Sequence, residues 1–118
     1  MHLTSVAFHI LTANFESHEA AEVYCYDTLT PNDPEQINLD QPNATIDTNC
    51  LELAFRDEIG PFLNALFDPT TAANLMVGLD GISTVISIRA DGLLGSDGVL
   101  MDTDTLTYLG LFQSKPTT

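Results

Sequence analysis

A chain of 118 residues holds about one domain, with room for its own core and none for a second, so residues 1–118 are expected to fold as a single unit. Hydrophobic residues make up 44% and charged ones only 17%, a globular composition and not a disordered one. Seventeen acids against three bases, Arg56, Arg89 and Lys115, give a net charge of −14. That field repels nucleic-acid phosphates and anionic membrane surfaces, and three scattered cations build no basic patch, so neither is an expected partner.

The acid excess has two readings, adaptation to salty water or complementarity to a basic partner surface. The opening "MHLTSVAFHILTAN" lacks the basic start and continuous apolar centre of a secretory leader. No run approaches the ~18 apolar residues of a membrane span.

In chain order, residues 2–13 predict a strand with Val6, Phe8 and Ile10 on one face and Leu3, Ala7 and Leu11 on the other. Apolar residues on both faces imply cover on both sides, from a second sheet or a neighbouring subunit. Residues 15–22 read either as one helical turn capped by Asn14 or Ser17 or as a polar hairpin loop. The β-branched and aromatic "VYCYDTLT" predicts a strand that stops at the turn cluster "PNDP". From 31 to 49, three prolines and no periodicity beyond Ile37 and Leu39 predict a long loop, with at most one short edge strand at 36–40. Loops longer than about 12–15 residues are usually functional or clasped by something, and an arm embracing a neighbour fits. Asn43-Ala44-Thr45 matches a glycosylation sequon, a pattern frequent by chance.

"CLELAFR" alternates Leu51, Leu53 and Phe55 against Glu52 and Arg56, as a half-buried strand does. The period then changes. Phe62, Leu63, Leu66 and Phe67 stand at helical spacing behind Pro61, and Pro69 interrupts them, which predicts short helices at 60–67 and 70–76. Next, "GISTVISIR" alternates Ile82, Thr84, Ile86 and Ile88 against Ser83, Val85, Ser87 and Arg89. "GVLM" and "TLTYLGLF" follow as further strands, separated by Asp-Gly and Asp-Thr-Asp, and Asp-Gly favours the turns that join antiparallel neighbours. The expected fold is therefore mainly β: an antiparallel β-sandwich or small barrel with one or two short helices over about 60–76 and a long proline-rich loop over 31–49.

The aspartates of 89–110 are the first candidates for chemistry. Calcium needs six to eight oxygen ligands closely spaced along a loop. Asp91, Asp97, Asp102 and Asp104 supply carboxylates, yet they lack the alternating triplet before a glycine. With a strand at 99–101, Asp97 and Asp102 fall some 15 Å apart at a ~3.3 Å rise per residue. Only Asp102 and Asp104 stay close, as weak metal candidates, and turn chemistry explains the rest. His2, His9 and His18 form no i, i+4 pair, and His9 lies on the face of Ala7 and Leu11, where a satisfied structural histidine is expected. Nucleophile elbows, phosphate loops, metalloprotease motifs and a cysteine flanked in sequence by an activating cation are all missing. Three cations also leave little to hold an anionic substrate, so no enzyme, no catalytic residue and no cofactor are expected.

Cys25 and Cys50 sit in strand-like runs and read as buried free thiols, although pairing with each other or between chains fits the count as well. Tyr24 and Tyr26 carry polar tips suited to an interface. With Pro31, Pro34, Ile37, Leu39 and Pro42 of the long loop they form the expected contact surface. The resulting functional expectation is a structural component of a large assembly, most concretely a small virion protein that decorates or cements a capsid. Its partners are copies of itself, a trimer in the symmetric shells that use such proteins, and the larger shell. The alternative is an extracellular β-sandwich module binding a protein or glycan, with calcium on the 97–104 loop as an aid.

Overall fold

The structure, a computed structural model, describes residues 6–28, 33–94 and 98–115; His2, Leu3, Pro31 and Asp97 lie outside them. In chain order the described elements are β1 (Ala7–Ala13), α1 (His18–Tyr26), α2 (Gln36–Asp40), β2 (Thr45–Ile46), β3 (Leu51–Phe55), α3 (Ile59–Leu66), α4 (Pro69–Val77), β4 (Thr84–Arg89), β5 (Leu93–Leu94) and β6 (Thr107–Gln113). Short 3-10 turns precede β3, α3 and β5.

Two-residue alternation makes β1 the centre of the molecule. It pairs antiparallel with β4 on one side, Leu11 opposite Ile86, and with β6 on the other, Phe8 opposite Phe112. β3 adds antiparallel to β4, giving the order β3-β4-β1-β6, while β2 and β5 form a separate two-stranded ribbon. Successive strand residues point to opposite faces, and so two cores form. On one face Leu11, Ala13, Leu51, Ile86 and Ile88 pack with Tyr24 and Cys25 of α1, Ile37 of α2, Ile46, Leu100 and Leu106. On the other, Ile10, Ala54 and Val85 pack with Ile59, Leu63 and Phe67 from α3 and its end, Ala72 and Leu75 of α4, and Leu79. The antiparallel expectation holds in this coarser form. The architecture is mixed α/β: a four-stranded sheet between helical layers, with helices in the place assigned to a second sheet. The two-faced apolar pattern of β1 is answered within the chain.

The two helices expected at 60–67 and 70–76 are α3 and α4. Asp68 caps α4, its Oδ1 accepting from Thr71 N at 2.8 Å, with Pro69 at the first helical position where its missing N–H costs nothing. Three strand expectations are corrected. Residues 18–26, including "VYCY", are helical because Ser17 caps them, its Oγ accepting from Ala20 N at 3.0 Å. Ala21, Tyr24 and Cys25 then fall at i, i+3 and i+4 and bury one stripe; packing overrides the β preference of Val23 and the tyrosines. Residues 36–40 are α2 and not an edge strand. "GVLM" forms no strand: Val99 N donates once to Asn43 O, and Leu100 plugs the first core.

Ser87, at the middle of β4 between Ile10 and Glu52, is fully buried, and its Oγ has no hydrogen-bond partner among the described residues. A buried orphan hydroxyl carries its desolvation cost uncompensated, about 1–3 kcal/mol. Ser87→Ala is therefore expected to raise stability by about 1 kcal/mol, read as a higher urea midpoint at unchanged slope. A lower midpoint would show that the hydroxyl is satisfied.

Candidate functional site: the surface around the α1–α2 ridge

The proline-rich stretch is clasped, and its clasp is the chain itself. Asn38 Nδ2 donates to Ile46 O at 3.1 Å while Ile46 N donates back to Asn38 Oδ1 at 2.7 Å. Gln41, nearly fully buried, exchanges two 3.0 Å bonds with the backbone of Met101. Between these clamps α2 lies beside α1. Tyr24 Oη donates to Asp40 Oδ2 at 2.5 Å, and Gln36 Nε2 donates to Asp40 Oδ1 at 2.9 Å, so both carboxylate oxygens are engaged. Burial and the adjacent Asp40 carboxylate push the Tyr24 phenol far above its ordinary range, leaving it a fixed donor and not a base.

This arrangement leaves a ridge between two grooves. Leu39 stands at the crest, 62% exposed, with Val23 and Tyr26 also exposed on α1. One groove, about 590 Å³, runs between α2 and the turn before β6, and its polar lining is Tyr24, Gln36, Asp40, Thr103, Asp104 and Thr105. The other, about 550 Å³, is bordered by Val23, Asp27, Thr28, Asp33 and Pro34. Leu39 and Gln36 line both. Apolar side chains set among carboxylates suit a partner that brings its own apolar contact ringed by cations or other donors.

The expected contact residues divide. Leu39 and Pro34 are exposed on the ridge and its flank, and Pro42 is exposed beyond α2. Tyr26 is half open but tethered, its hydroxyl donating to Leu51 O at 2.8 Å. Tyr24 is mostly buried and borders the first groove. Ile37 is corrected outright: it is fully buried, an anchor of the first core with no surface to offer. Pro31 lies outside the described residues.

Asp102 precedes a tight turn over 103–106, and Asp104 lies within it. Asp102 Oδ1 accepts from Tyr108 N at 2.7 Å, and Thr103 Oγ1 accepts from Leu106 N at 2.9 Å, so this segment is occupied in leading the chain into β6. Among the described residues no three His, Cys, Asp or Glu side chains come together in a metal-holding group. His9 Nδ1 lies 2.8 Å from Tyr108 Oη, and burial lowers its pKa, the pairing of a structural histidine kept neutral.

One constellation escaped sequence reasoning. Cys50 and Arg89 are far apart in the chain, yet Arg89 Nη2 comes within 3.6 Å of Cys50 Sγ, beside Asp47 Oδ2 at 3.9 Å. Asp91 Oδ1 takes the same guanidinium's Nε at 2.6 Å and shares its charge. The thiol expectation is corrected with it: both cysteines are free, but Cys50 is half-buried on a 3-10 turn, and only Cys25 is buried, its thiol pushed up to about 12 by desolvation.

Compared with protein-family models, with curated proteins and with solved structures, the chain matches none.

Proposed function

We propose that this protein is a non-enzymatic structural component of a larger protein assembly, most concretely a small virion protein that decorates or cements a capsid. The observation that carries the reading is the Leu39 ridge, an exposed apolar crest between two grooves bordered by carboxylates and held rigid by the Asn38 and Gln41 clamps. The mechanism is passive. Seating the crest in a subunit joint removes apolar area from water, about 1.5–3 kcal/mol for one leucine, and the carboxylates orient it against a basic rim. A chain of net charge −14 approaches such a rim quickly at low salt and slowly at high salt.

The test is association in the native source. The protein is expected to co-sediment with a particle far heavier than the free chain. Leu39→Glu is expected to cut its occupancy about tenfold or more, since each 1.4 kcal/mol is tenfold in affinity. Recovery as a particle-free protein at high concentration in that source would overturn the reading.

A further inference from the structure

The helical layers on the two faces of the sheet meet around the end of β3, and the contact there is ionic. α1 packs on one face and α3 on the other. His18 opens α1, and Glu22 follows one turn later on the same side of the helix. The 3-10 turn Arg56–Glu58 leads from β3 into α3. His18 Nε2 lies 3.2 Å from Glu22 Oε1, and its Nδ1 lies 3.7 Å from Glu58 Oε1. The imidazole is stacked on Phe55, the last residue of β3, at 6.0 Å between centroids and 3° between planes. Stacking confines the ring to one plane, with a carboxylate oxygen off each nitrogen.

Two carboxylates on one imidazole suit only one of its protonation states. A neutral ring carries a proton on one nitrogen and would turn a lone pair toward the second carboxylate, whereas the imidazolium offers an N–H to each. The charged groups that face the ring are Glu22 from α1, Glu58 from the turn, and Arg56 from the same turn. Arg56 has a left-handed backbone, φ 50°, which non-glycine residues seldom adopt. Its guanidinium stands 4.8 Å from the centre of the Phe55 ring, with Nη2 3.5 Å from Glu16 O. Two carboxylates against one guanidinium favour the charged ring, and the face of Phe55 attracts a cation as well. All three partners of the ion pairs are open to solvent, His18 at 45%, Glu22 at 56% and Glu58 at 64%, so protons reach the ring freely.

We infer that His18 is a pH-operated latch. As an imidazolium it ties α1 to the turn ahead of α3 through Glu58, while Glu22 holds its other nitrogen; as a neutral ring it lets one carboxylate go. Histidine changes charge between about pH 5 and 8, a span over which glutamates are ionised. The latch therefore stabilises the fold at the acid end of that span and fades as the pH rises through it. Below about pH 4 it fades again, because the carboxylates take up protons. It lies at the opening of α1, apart from the Leu39 ridge, and does not rest on the assembly reading.

A double-mutant cycle between His18→Gln and Glu58→Gln, read from urea unfolding at about pH 5.5 and about pH 8.5, tests the latch. At the lower pH the coupling is expected to change the unfolding constant about two- to five-fold, the range of exposed ion pairs. At the higher pH it is expected to vanish. His18→Lys is a cation at both pH values and is expected to keep its coupling to Glu58 at the higher one. Because the substituted side chains are exposed, every variant is expected to retain the native circular dichroism spectrum. A coupling of equal size at both pH values, a larger one at the higher pH, none at either, or loss of the His18→Lys coupling on raising the pH would each overturn the proposal.

Discussion

Phe67→Ala is expected to destabilise the protein by about 3–5 kcal/mol, the cost of removing a fully packed phenylalanine and leaving a cavity. Phe67 ends α3 and is 1% exposed. Its ring meets Phe8 of β1 edge-on at 6.3 Å between centroids and Phe112 of β6 at 6.2 Å. One side chain therefore ties the α3–α4 layer to both the central and the outer strand. Small domains have only about 5–15 kcal/mol in all, so the variant should sit near the edge of folding at 37 °C. Its thermal midpoint should fall by roughly 10 °C or more. Val77→Ala, at a position 83% exposed on α4, should change stability by no more than about 0.5 kcal/mol and serves as the control. Equal, small effects at both positions would mean that Phe67 does not join the layers.

The packing that makes Phe67 matter was partly legible in the sequence. Phe62, Leu63, Leu66 and Phe67 announce a helix by spacing, and Pro61 and Pro69 punctuate it with local chemistry that needs no tertiary partner. The alternation in 82–89 likewise foretells β4 and assigns Ile86 and Ile88 to one face. Elements fixed by contacts between distant residues were not legible. Nothing local distinguishes "VYCY" as helix from strand; the choice follows from Tyr24 and Cys25 reaching the same core as Leu11 and Ile86. Residues 36–40 are too short to show a helical period, and they hold their place through Ile46 and Met101, partners distant enough to leave no pattern. Of the candidate surface, Leu39 was readable as an apolar residue in a polar stretch. Ile37 two positions earlier looked the same and turned inward, because five residues of helix place them on opposite sides. The Cys50–Arg89 contact had no signal at all.

That contact marks the second large expected effect. Gly92 follows β4 through a 3-10 turn and passes so close to Cys50 that an added Cβ would lie 2.5 Å from Cys50 Cβ and 3.4 Å from Ile88 Cγ2. Carbon atoms are at ease near 3.5–4.0 Å, so one segment must move. Neither is free to do so: Asp47 N donates to Gly92 O at 2.8 Å, and Cys50 N donates to Asp47 O at 2.9 Å. Gly92→Ala is therefore expected to cost about 1–3 kcal/mol, well beyond the gain of about 0.4–1 kcal/mol that a stiffer unfolded chain would return. A double-mutant cycle isolates the cause. Cys50→Gly removes the opposing Cβ and should recover most of the loss in the Gly92→Ala background, a coupling of about 0.5–3 kcal/mol. Cys50→Ala removes only the sulfur, keeps the clashing carbon, and should recover little. Urea midpoints of the six chains in the two cycles decide it, since equal rescue by Gly and Ala at position 50 would place the strain on the sulfur instead of the backbone approach.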